Sequence, residues 1–162
     1  MEFSVRRAKS GDEPVLRELR LEAMKDSPEA FGSTYERETA RTMEDWQKWL
    51  APGVTYLLEV DGRARGLVAG IRDGTEENVV HLMAMWVHPD FRGKGRADML
   101  VRSVKEWADE VRAAEVRLYV VEQNVPARRC YERNGFRATG RQGVLERNGN
   151  IEIEMMRKVS NL

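Results

Sequence analysis

The loop R-G-K-G-R-A at positions 92–97 is the stretch of this sequence whose residue types most directly indicate chemistry. It follows an apolar, strand-like run at 79–87 and precedes a segment with helical spacing. A loop in that place offers free backbone N–H groups and the positive end of a helix dipole to an anion. The glycines let a ligand approach the backbone closely, and the cations add charge. The candidate ligand-binding residues are Arg92, Gly93, Lys94, Gly95 and Arg96. We therefore predict a site for a phosphate or pyrophosphate group.

Two common phosphate-binding motifs do not describe this loop. A P-loop needs a longer glycine spacing that ends in Lys-Ser/Thr, and a Rossmann fingerprint needs a third glycine directly after the first strand. The loop on its own is therefore also compatible with a basic turn that binds no ligand.

A second constellation lies further along, at N-V-P-A-R-R-C-Y-E-R-N-G-F (124–136). Asn124 is a favourable N-cap for a short helix, and Gly135 is a favourable residue to end it. Ala127 and Tyr131 are four residues apart and share one helix face, so the small alanine leaves room beside the phenol. This pattern predicts a helix that presents Tyr131 to a ligand.

The two motifs together resemble those of the GNAT family, the Gcn5-related N-acetyltransferases. The phosphate loop of that family has the pattern Arg/Gln-x-x-Gly-x-Gly/Ala, and its later signature is Asn-x-x-Ala-x-x-x-Tyr followed by Gly-Phe. The matching residues are Arg92, Gly95 and Ala97 in the first motif and Asn124, Ala127, Tyr131, Gly135 and Phe136 in the second. The order of predicted elements is also similar to that of the family over nearly the whole chain.

The resemblance implies an α/β fold with a mixed, mostly antiparallel central sheet, a splayed parallel strand pair and helices on both faces. It implies one N-acetyltransferase domain over residues 1–162, with acetyl-CoA bound between the splayed strands. The loop at 92–97 would hold the pyrophosphate, and Asn124 and Ala127 would lie along the cofactor arm. The strand residues expected to bind the pantetheine arm through the backbone are Met85, Trp86 and Val87.

Transfer of an acetyl group from a thioester to an amine needs a neutral amine, a stabilised oxyanion and a stabilised thiolate. We expect Tyr131 to hydrogen-bond or protonate the leaving sulfur, and a backbone N–H of residues 85–87 to bind the oxyanion. The amine would attack the thioester directly. Cys130 is adjacent to Tyr131 and does not share its helix face, so we interpret it as a packing residue.

His81 is the predicted general base, because a neutral imidazole can accept an amine proton directly or through water. The resemblance places it where histone-type members carry a strand glutamate and serotonin-type members a histidine. A packing role at the end of the sheet is the alternative. The reserve candidates are Glu36, Glu38 and Glu122.

The acceptor is expected near A-F-G-S-T-Y-E-R-E (30–38) and the 141–150 loop. The predicted acceptor-binding residues are Phe31, Tyr35 and Glu36. Trp46 and Trp49 either line an apolar wall or pack this segment onto the sheet. A small amine, an amino acid, an antibiotic and a protein amine all stay open as acceptors.

Two other classes of function stay open beside the enzyme. One is a non-catalytic acyl-CoA-binding sensor module, which would need neither Tyr131 nor His81. The other is a nucleotide-binding regulator that uses the same loop and in which neither Asn124 nor Tyr131 has a role. Turnover of acetyl-CoA with amines, and competition between coenzyme A and nucleotides, would separate these classes.

The composition sets limits on partners and compartment. The chain has 162 residues, 27 basic and 27 acidic side chains and a pI near 6.8, so we expect no nucleic-acid partner. A single cysteine, Cys130, fits a reducing compartment, and no apolar run has the length of a membrane span. We therefore expect a cytoplasmic protein with no metal site, and a homodimer is a candidate assembly.

Periodicity and turn signals predict eleven elements in the order β-α-α-β-β-β-α-β-α-β-β. They are a strand at 2–8, a helix after Ser10 or Asp12, a helix from Thr42 to about Pro52, strands at 55–60, 64–72 and 79–87, a helix at 96–112, a strand at 116–121, a helix at 125–134, and strands at 136–140 and 151–157.

Overall fold

The computed structural model describes residues 1–159. Its elements, in chain order, are β1 (Phe3–Arg7), α1 (Glu13–Asp26), α2 (Tyr35–Thr39), α3 (Met43–Leu50), β2 (Val54–Val60), β3 (Arg63–Arg72), β4 (Val79–Val87), α4 (Arg96–Glu110), β5 (Glu115–Val121), α5 (Val125–Arg133), β6 (Arg137–Val144) and β7 (Ile151–Lys158). Short 3-10 turns lie at Pro28–Ala30 and Pro89–Phe91. Among the described residues, no helix combines the length and apolar character that crossing a bilayer requires.

The observed elements follow the predicted order, with one helix added. Helix α2 was not predicted because five residues are too few to show a helical period; its N-cap is Thr34, whose side chain accepts a hydrogen bond from the N–H of Arg37. Helix α3 begins with a capping box. Asp45 N–H donates to Thr42 Oγ1 at 3.2 Å, and Thr42 N–H donates to Asp45 Oδ2 at 2.8 Å.

The strands form one sheet in the order β1-β2-β3-β4-β5-β7-β6. Every neighbouring pair is antiparallel except β4 and β5, which are parallel. One face of the sheet packs on α4 and α5, and the other packs on α1 and α3. The mixed, mostly antiparallel sheet with a parallel pair and helices on both faces is therefore confirmed.

The parallel pair separates soon after it forms. Its backbone partners are Val79 with Glu115, Val80 with Val116 and His81 with Arg117, and the two strands diverge beyond them. On its other side, β4 shifts register against β3 where Ala84 adopts a φ of 58°, which indicates a β-bulge. The result is an opening in the middle of the sheet between the ends of β4 and β5.

A long apolar run such as 79–87 is typical of a strand buried on both faces, but Met83 in β4 has an exposed fraction of 46%. Val80 and Leu82 face α4 and are buried, whereas Met83 points to the opposite face of the sheet. An apolar run therefore does not distinguish a strand covered on both faces from one that is partly exposed on one face.

A buried ion cluster holds α2 against α1. Glu38 is fully buried and accepts a hydrogen bond from Arg20 Nε at 3.1 Å, and it also pairs with Arg41. Burial opposes the charge of Glu38, but the two guanidinium groups outweigh that effect and lower the pKa of its carboxyl. Glu38 therefore stabilises the fold and is not available as a general base.

The same cluster supports the segment between the two helices. The Arg20 guanidinium lies 4.8 Å from the centre of the Phe31 ring and 5.5 Å from that of Trp49. Trp46 is 1% exposed, and its ring centre lies 5.5 Å from that of Trp49. Of the two alternatives for the tryptophans, packing of this segment onto the sheet is the one observed.

Glu38→Gln should lower the free energy of unfolding by about 3 kcal/mol, because it leaves the buried Arg20 without its counter-charge. Glu36→Gln is the matched control on the same helix, since Glu36 is exposed; it should change stability by no more than about 0.5 kcal/mol. Urea unfolding of both variants checks the difference. Equal stabilities would show that the cluster contributes nothing to the fold.

Candidate active site

A cavity of about 1120 Å³ occupies the opening between β4 and β5. It is bounded by the ends of both strands, by the loop 92–97 (the phosphate loop), by α5 and by residues 27–31 (the 27–31 segment). The predicted site residues that line it are Phe31, Met85, Trp86, Val87, Arg92, Gly93, Lys94, Gly95, Arg96, Ala97, Asn124, Ala127 and Tyr131. The fold therefore brings the two sequence motifs to one cavity.

The phosphate loop has an unusual backbone. Gly93, Lys94 and Gly95 are consecutive residues with positive φ angles of 84°, 53° and 82°, and Gly95 is the N-cap of α4. Within residues 1–159, no carbonyl accepts a hydrogen bond from the N–H groups of Gly93, Lys94, Gly95 or Ala97. Successive N–H groups in such a turn form a concave site for an anion, and the helix dipole adds to its potential.

The glycines are required for backbone conformation rather than for space. A Cβ atom built on Gly93 or Gly95 would meet no heavy atom within 4 Å. Their left-handed φ angles, however, disfavour any residue that carries a Cβ. The loop thus keeps open space in front of its N–H groups, as a site for a bulky phosphate ester needs.

The cations of the loop are not equivalent. Arg92 donates from Nε to the carbonyl of Val87 at 2.8 Å and pairs with Asp26. Arg96 stacks on the ring of Phe3, with its guanidinium carbon 3.8 Å from the ring centre. Lys94 is exposed and has no ion-pair partner among the described residues. Lys94 is therefore the cation of the loop that is most available to a phosphate.

Helix α5 presents its predicted residues to the cavity. The side-chain oxygen of Asn124 accepts a hydrogen bond from the N–H of Ala127 at 3.3 Å, which caps the helix and leaves the amide NH₂ group available. Tyr131 is 6% exposed and packs edge to face on Phe136, with ring centres 5.9 Å apart. Its hydroxyl has no hydrogen-bond partner within residues 1–159.

Burial, and to a lesser extent the neighbouring Cys130, raises the pKa of Tyr131 above its ordinary value. The phenol is therefore neutral at physiological pH and acts as a hydrogen-bond donor. Cys130 also borders the cavity, but burial, with Asp98 adding to it, raises the pKa of its thiol to about 11. A protonated thiol is a poor nucleophile, which agrees with the interpretation of Cys130 as a packing residue.

One strand residue is less available than expected. The carbonyl of Val87 already accepts the hydrogen bond from Arg92, and the indole N–H of Trp86 donates to Asp26 at 3.0 Å. Met85 lies next to the bulge at Ala84 and has no such side-chain partner among the described residues. The carbonyl of Val87 is therefore less available to a ligand than that of Met85, to which no described side chain donates.

Three predicted residues are not part of the cavity lining. His81 precedes Met85 by four positions, and its Nε2 lies 2.7 Å from Asp73 Oδ1. The expectation that its imidazole could contact an amine in the cavity directly is therefore not met. A base role for His81 would need a bridging water. Tyr35 packs under the ammonium of Lys25 at 5.1 Å, and Glu36 points to solvent, because α2 turns both away from the cavity.

Sequence reasoning missed part of the cavity wall. The missed residues are Ser27, Glu29, Asp98, Val121, Gln123, Pro126, Arg129, Cys130 and Arg133, whereas Ala30 and Asn150 lie in the two segments predicted for the acceptor. A signal was present in D-S-P-E-A-F (26–31), where a proline ends α1 and begins a short 3-10 turn. That turn indicates that Ser27 and Glu29 lie outside the regular helix. The proximity of Asn150 to this segment, in contrast, depends on how distant parts of the chain pack together.

Comparison with known proteins agrees with this geometry. The model of the Acetyltransferase (GNAT) family matches residues 17–136. The chain belongs to this family, whose members are acetyl-CoA-dependent N-acetyltransferases. The match confirms the predicted family and enzyme class, with acetyl-CoA as the co-substrate of that class.

Curated relatives match part of the chain. N-acetylaspartate synthetase of Homo sapiens is 40% identical over 90 residues, which are 55% of this chain and 30% of that protein. The same enzyme of Xenopus tropicalis is 36% identical over 90 residues and is covered to 33%. The chain thus spans about a third of the length of the curated relatives it matches.

Solved structures share the fold over nearly the full length. A GNAT acetyltransferase from Streptococcus pneumoniae has a TM-score of 0.83 and 18% identity, with 98% of this chain and 100% of that chain covered. An acetyltransferase from Salmonella typhimurium, solved with its cofactor acetyl-CoA, has a TM-score of 0.80 and 17% identity, with 100% and 96% covered. At these identities the likeness establishes the fold.

Gly95→Ala should weaken the binding of coenzyme A by roughly fivefold, because a left-handed φ costs an L-residue about 1 kcal/mol. No clash is expected, since the space at this Cβ is open. Gly74→Ala is the matched control, because Gly74 has equally open space and an ordinary φ. Calorimetric titration with coenzyme A measures both variants, and equal affinities would contradict the anion-binding role of the loop.

Proposed function

We propose that this protein transfers the acetyl group of acetyl-CoA to a primary amine, and that the amine attacks the thioester directly. The observation that carries the proposal is the meeting, in one cavity, of the phosphate loop, the unpaired edge of β4 and the hydroxyl of Tyr131. A pyrophosphate, an amide-containing arm and a thioester sulfur need, in that order, these three kinds of partner.

Each group has a distinct task in this mechanism. The free N–H groups of Gly93, Lys94, Gly95 and Ala97 bind the pyrophosphate, and the Lys94 side chain adds a flexible positive charge. The backbone at Met85 and the amide of Asn124 hold the cofactor arm in the opening. Tyr131 donates a hydrogen bond to the sulfur as negative charge develops there. Because its pKa is raised, Tyr131 stabilises the thiolate rather than giving up its proton completely.

The acceptor approaches from the 27–31 segment and Asn150, which close the other end of the cavity. Phe31 supplies an apolar wall that is held in place by Arg20. Glu29 is exposed and has no ion-pair partner within residues 1–159, so its carboxylate can attract an ammonium group. These features favour a cationic amine that loses its proton at the site.

The relatives and neighbours suggest which amines to test first. The matched curated relatives are named for the synthesis of N-acetylaspartate, so aspartate is one acceptor to test. A structural neighbour from Brucella melitensis, with 19% identity and a TM-score of 0.80, is a ribosomal-protein-alanine N-acetyltransferase, so an N-terminal alanine peptide is another. Release of free coenzyme A thiol in such a panel distinguishes an enzyme from a sensor, which would bind coenzyme A without turnover.

The compartment and assembly are proposals of the same kind. We propose that the protein acts in the cytoplasm, where its single cysteine stays reduced and acetyl-CoA is present. A homodimer stays a prediction, which analytical ultracentrifugation would check.

Tyr131→Phe should lower kcat by about 10²-fold while the affinity for coenzyme A changes little, because only the hydroxyl that faces the sulfur is removed. Tyr56→Phe, on the distant β2, is the control and should retain the parent kcat. Steady-state kinetics with an acceptor from the panel measures both. Full activity of Tyr131→Phe would leave the phenol with a packing role only.

His81→Gln should lower kcat/KM by roughly 10²-fold and change the acidic limb of its pH profile, if the imidazole accepts the amine proton through water. The imidazole of His81 is oriented by Asp73, whose Oδ1 lies 2.7 Å from its Nε2, which supports this test. His88→Gln is the control, because His88 does not line the cavity and its imidazole accepts a hydrogen bond from the N–H of Asp90 in the 3-10 turn. A less stable His81→Gln protein with the parent pH profile would establish the packing alternative.

A further inference from the structure

Asp26 is the last residue of α1, and its carboxylate connects segments that are distant in sequence. It accepts hydrogen bonds from the Ser27 hydroxyl at 2.7 Å and from the Trp86 indole N–H at 3.0 Å, and it pairs with the Arg92 guanidinium. The end of α1, strand β4 and the phosphate loop are therefore joined here by one side chain.

This position is electrostatically unfavourable for an acid unless it has partners. A negative charge at the C-terminus of a helix is repelled by the helix dipole. Partial burial also opposes the charged form, but the hydrogen bonds from Ser27, Trp86 and Arg92 outweigh it and lower the pKa of Asp26 to about 2. The carboxylate is thus ionised at any ordinary pH, and its three contacts are charge-assisted.

The partners of Asp26 belong to both halves of the cavity. Arg92 begins the phosphate loop and also binds the carbonyl of Val87, and Trp86 lies on β4 beside the opening. Ser27 begins the 27–31 segment, where the acceptor is proposed to bind. The loop that would hold the pyrophosphate and the wall that would contact the acceptor are therefore linked through a single carboxylate.

We propose that Asp26 is a positioning residue that couples the binding of acetyl-CoA at the phosphate loop to the placement of the acceptor wall. This inference rests on the proposed function. When the loop closes on a pyrophosphate, Arg92 and Trp86 become fixed, and through Asp26 they fix Ser27 and the 27–31 segment. The coupling is reciprocal, so a bound acceptor also tightens the binding of the cofactor.

The first test is hydrogen–deuterium exchange with and without coenzyme A. In the parent protein, coenzyme A should slow exchange in both the phosphate loop and the 27–31 segment. In Asp26→Asn, which keeps the shape but loses the charge, the loop should stay protected while the protection of the 27–31 segment is lost. Asp109→Asn, an exposed acid in the last turn of α4, should behave like the parent.

The outcomes of this test separate the two proposals. If coenzyme A leaves the phosphate loop of the parent unprotected, the cofactor site itself is misassigned. If the loop is protected but the 27–31 segment is equally protected in the parent and in Asp26→Asn, direct contact with the cofactor explains it and the coupling is overturned. Protection of the loop alone in the parent also overturns the coupling.

Kinetics supply a second measurement that a purely structural role would not move in the same way. With an acceptor from the panel, Asp26→Asn should raise the KM of the acceptor by about tenfold, within the range of typical coupling energies, and change the Kd of free coenzyme A by less than about twofold. Asp26→Glu keeps the charge and should recover part of the loss. An unchanged KM in a folded Asp26→Asn protein would overturn the proposal.

Discussion

The separation of β4 from β5 beyond His81 and Arg117 is the constraint on which the rest of the site depends. Backbone N–H and C=O groups on a strand need partners, and the separation leaves those on the facing edges of two central strands without each other. A ligand with amide groups of its own can pair with such an edge as an added strand would. The bulge at Ala84 bends β4 away and keeps the opening wide enough for a cavity of about 1120 Å³.

Two parts of the cavity lining have different electrostatic characters, and each suits a different part of the chemistry. In the phosphate loop, three consecutive residues with positive φ angles and the start of α4 present N–H groups and positive charge to solvent. On α5, in contrast, the phenol of Tyr131 is buried, neutral and without a partner among the described residues. A highly charged group can therefore stay at the solvent-exposed phosphate loop. The reacting thioester would lie beside the buried phenol, where a single hydrogen bond has most effect.

Helices α1 and α2 matter to the site through two ion-pair systems rather than through apolar packing alone. The buried cluster of Arg20, Glu38 and Arg41 supports Phe31 from behind, and Asp26 connects the neighbouring residue Ser27 to Trp86 and Arg92. Both systems act on the short stretch that closes the acceptor end of the cavity. This explains why strongly charged residues occupy interior and helix-terminal positions that usually avoid them.

Features that depend on neighbours along the chain could be predicted from the sequence. Periodicity and turn residues were sufficient for most elements, and the spacing of the phosphate loop and of Asn124, Ala127 and Tyr131 identified most of the cavity and the family. The exposure of Met83, the pairing of Asp26 with Arg92, the burial of Glu38 and the position of His81 outside the cavity lining became visible only in the folded chain. These features depend on which distant segments pack together. The sequence alone does not distinguish a charged residue that faces solvent from one that contacts a ligand or another charge.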